Sequence, residues 1–494
     1  MKLLKSLSFG LIAAATVGSA SAAAPTIINV AGSTAFRTGT SIAIIDTLAG
    51  TTPAGGTGST PVFAAYSDTS VAGASQQIFA NGHIDGTAPA ATIIVEATWT
   101  GSLAGVVDLV AQSSTTAFID ETNPTVQAAV SAGSVDLSTY LGGTNLNSKT
   151  LVHSTNQPVE LALSDSNKTT IQKELATGTL TGSLGTFSSI AALSSAVGGA
   201  SVVDSGTTGY AKDAGVVAVV PFEWVLGKIT AAGYTAPTNI SQQNARQLIQ
   251  AGFLKQAQFT GGNTAADTAN YFYLTGRNED SGTRIGAFTE SQFGVVLPPN
   301  QYSVGNDSST LSGSALFPAN SQLSTEPSIS WPTAGHSGYA SGGNVSAALK
   351  IANDGTSVTF TNGKPAGNTG SSFFLGYLGV TDAAGAIGAG ATALSYNGVP
   401  YSATAVQNGS YSFWTYEHAY HLSSLSGTQL TVVNAIADNL FYSDADAIYN
   451  TSTGLTHAED VNTGVYTPGS AGLFVDGFLN VSRSTTEGGP VQHN

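Results

Sequence analysis

The sequence predicts an α/β protein on the strength of three repeats of one pattern. A short apolar strand runs into a Gly/Ser/Thr turn and then a helix, with the turns at Ser33, Ser102 and Ser281. Such alternation points to a sheet covered by helices, with ligands gathering outside the carboxyl ends of the strands. At 494 residues the chain is long enough for two or three domains with substantial cores. Only 9% of residues are charged, yet apolar segments recur throughout, which argues against disorder.

The chain opens with Lys2 and Lys5, an apolar run over 11–17 and the small residues Ala20-Ser21-Ala22. This is the pattern of a secretory signal peptide over residues 1–22, too short to be read as a membrane span. An exported protein, periplasmic or secreted, is expected. The sequence has no cysteine, so neither a disulfide framework nor a lipid anchor at a cleavage-site Cys is available. Net charge is −15, and removing the two signal lysines takes it to about −17. That balance argues against nucleic acid and anionic membranes as partners. No later stretch is apolar enough for membrane insertion.

In chain order, residues 26–30 read as a strand, followed by a helix from about Ala35 with Ile42, Ile45 and Leu48 on its buried face and Gly50 at its end. Residues 93–99 form a second strand, and the helix after Ser102 buries Leu103, Val106, Val107 and Val110. Residues 113–157 read as an insertion of loops with a short helix. A strand over 159–163 then ends in Ser164-Asp165-Ser166. Residues 177–212 are loop-rich with one helical piece. The strand at 215–221 is expected to cross into a second lobe. Ser241 is a good N-cap for a helix through Ala245, Leu248 and Ile249. Residues 298–344 read as a long loop, 345–351 as a helix, 373–380 as a strand returning to the first lobe, and 385–391 as a Gly/Ala loop. An amphipathic helix over 428–449 and a mostly irregular tail with a strand at 473–481 complete the chain.

The stretch 271–294 is the richest in chemistry. A strand over 271–274 is followed by a polar turn carrying Arg277, then by Ser281-Gly282-Thr283 opening a helix with Ile285 and Phe288 on one face. A helix opening on Ser-Gly-Thr offers free backbone N–H groups, two hydroxyls and the positive end of its dipole, which together seat an anion. Arg277 adds a forked, permanently charged donor suited to a tetrahedral oxyanion. The tetrapeptide alone proves little, because Asp-Ser-Gly-Thr also occurs at 204–207, where no Arg is near.

Several of these motifs together resemble the periplasmic phosphate-binding protein of phosphate ABC transporters, within the type II substrate-binding-protein superfamily. They are Gly32-Ser33-Thr34, Gly101-Ser102 with Gly105, Leu163-Ser164-Asp165-Ser166, residues 276–283, and residues 394–399 with Asn408-Gly409-Ser410-Tyr411 and Tyr416. The matches run in family order over 26–422, with Asp165 farther beyond Ser102 than is usual because of the insertion. The resemblance implies a two-lobed α/β fold, each lobe a mixed sheet flanked by helices, with loop-rich insertions. Lobe 1 would be 23–215 and 376–494 and lobe 2 would be 216–375. It implies a non-enzymatic, monomeric protein without cofactor that captures phosphate between the lobes and passes it to a transporter permease.

Carried over residue by residue, the resemblance places Ser33, Thr34, Ala35, Ser102, Asp165, Arg277, Ser281, Gly282 and Thr283 around the anion. Asp165 is the instructive member, because a carboxylate facing an anion repels it unless the anion carries a proton. Monohydrogen phosphate does and sulfate does not. A buried acceptor left unpaired costs roughly 1–3 kcal/mol, so a site built around one rejects the deprotonated isostere.

Plainer roles compete. Ser33 and Ser102 could be simple N-caps, Asp165 a turn residue capping a helix, and Arg277 a surface partner of Glu279 or Asp280. Glu417-His418-Ala419-Tyr420-His421 invites a zinc reading, but the surrounding residues are strand-like and no third ligand is apparent. Arg483 with Gly488-Gly489 could form another anion contact or belong to an ordered tail. No Gly-x-Ser-x-Gly elbow or dinucleotide-binding spacing occurs. A secreted structural or adhesion protein reusing the fold is the alternative, suggested by the Gly/Ser/Thr richness and the insertions.

Overall fold

The computed structural model describes residues 24–50, 64–68, 76–87, 89–112, 117–132, 147–148, 153–154, 157–176, 179–181, 187–207, 215–231, 234, 236–307, 310–316, 328–330, 335–354, 359–360, 369–441, 481–483 and 487–493. The signal-peptide expectation, the helix beyond 441 and the strand before Val481 lie outside these residues.

One long strand organises the architecture. Val216–Leu226 is buried along its whole length, with an apolar sequence (VVAVVPFEWVL) of the kind that suits a strand covered on both faces. Its first half, Val216 to Pro221, pairs antiparallel with Trp414–Leu422, and its second half, Phe222 to Leu226, pairs antiparallel with Ser372–Gly379. Pro221 stands where the partner changes, a place where a residue with no N–H to give the ladder is tolerated.

This handover joins two halves of a 14-stranded mixed sheet. On one side lie Trp414–Leu422, Leu161–Ser164, Thr26–Gly32, Ile93–Thr98, Gln76–Ala80 and Ala64–Asp68, in that order. The first strand runs parallel to both of its neighbours, Ile93–Thr98 and Leu161–Ser164. On the other side are Ser372–Gly379, Tyr271–Thr275 and Phe253–Lys255, with Thr392–Tyr396 on the far half of the long strand. Helices cover both halves, and Trp224 anchors the junction by stacking on Phe413 at 5.8 Å and meeting Tyr377 edge-on at 5.6 Å.

Most elements fall where their patterns put them. Helices span Arg37–Ala49, Ser102–Ala111, Gln242–Ala251 and Gly282–Glu290, and Ser241 and Ser281 cap the last two through their hydroxyls. The inserted stretch carries a helix at Pro124–Ala132 and a short strand, Phe118–Ile119, paired with His153–Ser154.

Three expectations differ. The described part of 298–344 is not simply a loop: Tyr302–Asp307 and Thr310–Leu316 pair as antiparallel strands. The Gly/Ala stretch begins inside a helix, Val380–Ile387, because burial of Val380, Ala383 and Ala386 outweighs the helix penalty of Gly385. Ser372–Gly379 pairs with Tyr271–Thr275 and the long strand, so the chain reaches the first half of the sheet again only with Trp414–Leu422.

The first strand and the second helix approach closely. Gly32 has φ +130, and a Cβ on it would lie 2.0 Å from the Leu163 carbonyl oxygen; a Cβ on Gly105 would lie 2.4 Å from Gly32 Cα. Replacing Gly32 with alanine therefore forces both a disfavoured backbone and a main-chain clash. We expect Gly32→Ala to lose at least roughly 1–3 kcal/mol of stability, read from the urea unfolding midpoint; an unchanged midpoint contradicts this packing.

Candidate functional site

Four turns converge at the ends of strands. The turn after the first strand brings Ser33, Thr34 and Ala35. The start of the second helix brings Ser102, the end of Leu161–Ser164 brings Asp165, and the turn after Tyr271–Thr275 brings Arg277 and Ser281-Gly282-Thr283. Two backbone bonds interlock the turns: Gly101 N–H donates to the Gly32 carbonyl at 2.9 Å, and Leu103 N–H donates to the Asp280 carbonyl at 3.1 Å. Gly101, at φ +113, has no room for a side chain, since its Cβ would fall 2.4 Å from that Asp280 oxygen.

Arg277 is 1% exposed, so the surface ion pair is excluded. Its Nη1 donates to the Thr34 hydroxyl at 3.2 Å, Nε to the Tyr339 carbonyl at 3.2 Å and Nη2 to the Ala340 carbonyl at 2.9 Å. A guanidinium has five N–H donors, so one on each terminal nitrogen stays available for an anion. The backbone of this turn is clamped as well. The Arg277 N–H donates to the Tyr377 hydroxyl at 3.2 Å, the hydroxyl donates to Gln301 Oε1 at 2.7 Å, and Gln301 Nε2 donates to the Arg277 carbonyl at 2.9 Å. Burial pushes the guanidinium below its ordinary pKa, while Asp382, Asp165 and Asp280 favour its charged form.

Asp165 is 1% exposed and faces the same point. The Ser102 hydroxyl donates to its Oδ1, and the Thr283 hydroxyl to its Oδ2 at 3.3 Å. Gly282 packs so closely that a Cβ there would meet both Asp165 Oδ1 and Ser102 Oγ. Burial raises the Asp165 pKa to about 6, with the Arg277 charge opposing the shift. The carboxyl is therefore ionised at neutral pH and acts as an acceptor.

Of the other plainer roles, those of Asp165 and Ser102 fail and that of Ser33 is shared. Asn167, not Asp165, caps the helix Lys168–Leu175, and the cap of the second helix is Gly101 with no side-chain bond, so Ser102 is not a capping serine. Ser33 does accept the Phe36 N–H at 3.2 Å, and Ser281 accepts that of Arg284 at 3.2 Å. Each retains its hydroxyl proton for donation. The first N–H groups of the Ser281 helix lack intrahelical acceptors, and only that of Arg284 is taken by the cap. Ala35 is placed by its turn, with its Cβ 3.6 Å from where a side chain on Gly379 would begin.

The remaining motifs resolve otherwise. His418 and His421 lie on a strand, three residues apart and so on opposite faces. His418 faces Glu487 at 3.7 Å and His421 bonds the Ser205 hydroxyl at 2.9 Å. Among the described residues no group of three or more His, Cys, Asp or Glu is placed to hold a metal. The Asp-Ser-Gly-Thr at 204–207 has a docking role: Gly206 and Thr207 donate backbone N–H groups to Asn434 and Asp438 on the helix Gly427–Phe441. Arg483 belongs to an ordered tail, paired with Glu290 at 3.1 Å and lying 4.1 Å over the Trp414 ring.

Sequence reasoning missed two buried groups. Arg284, 1% exposed, donates to the His336 carbonyl at 2.6 Å and supports the Arg277 turn. Glu417 sits beside Ser33 and Asp165. The signal for Arg284 was its place in the first helical turn, seven residues after Arg277; that for Glu417 lay in a strand pairing no local pattern shows.

No family model matches the chain, and no curated protein does. Solved structures do. An ABC-type phosphate transport receptor from Vibrio cholerae is 11% identical, with 87% of this chain and 99% of that one covered and a TM-score of 0.35. PstS from Borrelia burgdorferi is 11% identical, with 86% and 97% covered and a TM-score of 0.32. At TM-scores this low, what the chain binds has to be read from its own residues. No helix among the described residues is long and apolar enough to cross a membrane.

The tight seat of Gly282 is directly testable. We expect Gly282→Ala to lose roughly 1–3 kcal/mol by urea unfolding, and Gly385→Ala, which meets only ordinary contacts at 3.5 Å within a helix, to lose nothing. Equal effects at the two positions contradict this geometry.

Proposed function

We propose that the chain is an extracytoplasmic solute-binding protein that captures phosphate between two lobes, one on each side of the long strand, for ABC-type uptake. The observation that carries this reading is the fully buried Asp165 carboxylate facing the Arg277 side of the site, amid the hydroxyls of Ser102 and Thr283. A site made only of donors would hold any tetrahedral dianion. An ionised acceptor within it demands an anion that brings its own proton, as monohydrogen phosphate does.

In this scheme Arg277 supplies charge through its two remaining N–H donors. Thr34, Ser102, Ser281 and Thr283 supply hydroxyls, and the backbone N–H groups near Ala35 and Gly282 complete the shell. Ser102 and Thr283, which bond Asp165 itself, turn to the anion as it enters and leave Asp165 to accept the ligand's proton. Binding is purely noncovalent, and no residue is assigned a catalytic part. Release to a permease partner follows from opening the lobes, which parts the donors of the Ser33 and Ser102 turns from those of the Ser281 helix.

Titration calorimetry on the purified chain tests this. Phosphate is expected to bind with sulfate at least tenfold weaker at neutral pH, the scale of one unpaired buried acceptor. Arg277→Ala is expected to abolish phosphate binding, and Asp165→Asn to let sulfate in. The folded Asp165 pKa of about 6 fixes the pH dependence: above it the carboxylate accepts and sulfate is rejected, and below it the protonated carboxyl donates. Sulfate affinity should therefore rise as pH falls through about 6. Equal affinity for the two ions, or none for phosphate, contradicts the proposal and favours a structural or adhesive role.

A further inference from the structure

Glu417 lies one residue beyond the register that lines up the site. In that register Ala419 pairs with Leu163 and His418 with Ser164, while Leu163 also pairs with Gly32 on the first strand. Continuing by one step sets Glu417 beside Asp165, where the first strand has just ended at Ser33. The two carboxyls are in electrostatic contact.

Glu417 is 0% exposed, and neither of its carboxyl oxygens has a hydrogen-bond partner. The Ser33 hydroxyl lies close enough to favour its ionised form, without completing a full hydrogen bond to either oxygen. A buried carboxyl with two unsatisfied oxygens costs stability that an apolar side chain of the same size would not. Its polarity therefore serves something other than packing, and the polar groups it adjoins are those of the anion site.

We propose that Glu417 is a specificity-determining residue of this site, lending its carboxyl O–H as a donor beside Ser33 while Asp165 acts as the acceptor. The inference rests on the anion-site reading given above. Burial, reinforced by the Asp165 charge and opposed by the Ser33 hydroxyl, raises the Glu417 carboxyl well above its ordinary pKa and so favours its protonated form. A protonated carboxyl carries one O–H donor, and an ionised one carries none. Two neighbouring carboxyls in opposite states complement an oxyanion with one protonated and several bare oxygens: Asp165 takes the ligand's proton, and Glu417 gives its own to a bare oxygen. The site then reads the ligand's protonation twice.

Calorimetry with inorganic phosphate on the full chain, with thermal unfolding in parallel, tests this on two variants. Glu417→Gln keeps a neutral donor, and its phosphate affinity should stay within about threefold of the wild type. Glu417→Met keeps the volume without the donor; it should bind phosphate about tenfold or more weakly while unfolding at the same or a higher temperature. Phosphate should also shift the carboxylic-acid C=O band in infrared difference spectra of the wild type, and this band should be absent in Glu417→Gln. If Glu417→Met binds phosphate like the wild type, or if phosphate leaves the band unmoved, Glu417 is only a core residue and the proposal fails while the anion site stands. If the wild type itself binds no phosphate, both fail together.

Discussion

A guanidinium taken out of water has to be met by acceptors, and the site depends on how this chain meets that demand at Arg277. The acceptors are two main-chain carbonyls, from Tyr339 and Ala340, and the Thr34 hydroxyl on the turn after the first strand. Among the described residues none of them is a carboxylate in direct contact, so the charge is solvated there without being neutralised. Paired with an adjacent Asp or Glu, the arginine would have little left to offer an anion. The surrounding carboxylates Asp382, Asp165 and Asp280 act at longer range, sustaining the charge against desolvation.

That arrangement requires rigid support, and the fold supplies it from both halves of the sheet. Tyr377 and Gln301 clamp the backbone of the Arg277 turn, and Phe288 on the Ser281 helix packs edge-on against Tyr377 at 6.0 Å. Trp224, on the strand common to both halves, touches the same tyrosine. The position of the guanidinium is thus tied to the junction of the sheet. The glycines at 32, 101 and 282 do complementary work: they let three turns approach to distances at which any side chain would hold them apart.

How much of this was legible in the sequence depended on whether the determinant was local. The three strand, turn and helix units, the Ser241 and Ser281 caps and the placement of Arg277 before a helix start follow from spacing over a few residues. The turns that carry the nine expected residues are tied to one another by bonds such as Arg277 to Thr34 and Ser102 and Thr283 to Asp165. What the sequence could not show was set by distant partners. Whether Arg277 lies buried or on the surface is decided by Tyr339 and Tyr377, 62 and 100 residues away. Glu417 is defined by strands from three parts of the chain, and beside two histidines it looked like a metal motif. The antiparallel strands Tyr302–Asp307 and Thr310–Leu316 were hidden because their Gly and Ser residues blur the alternation that marks a strand.

In the proposed complex Arg277 and Asp165 grip one protonated tetrahedral anion from opposite sides. A crystal structure of the chain grown with phosphate at neutral pH addresses it most directly. One tetrahedral ion is expected, with one oxygen within hydrogen-bond distance of an Asp165 carboxylate oxygen and others on the remaining N–H groups of Arg277 and the start of the Ser281 helix. Density that leaves Asp165 bonded to Ser102 and Thr283, with the ion elsewhere, would contradict it.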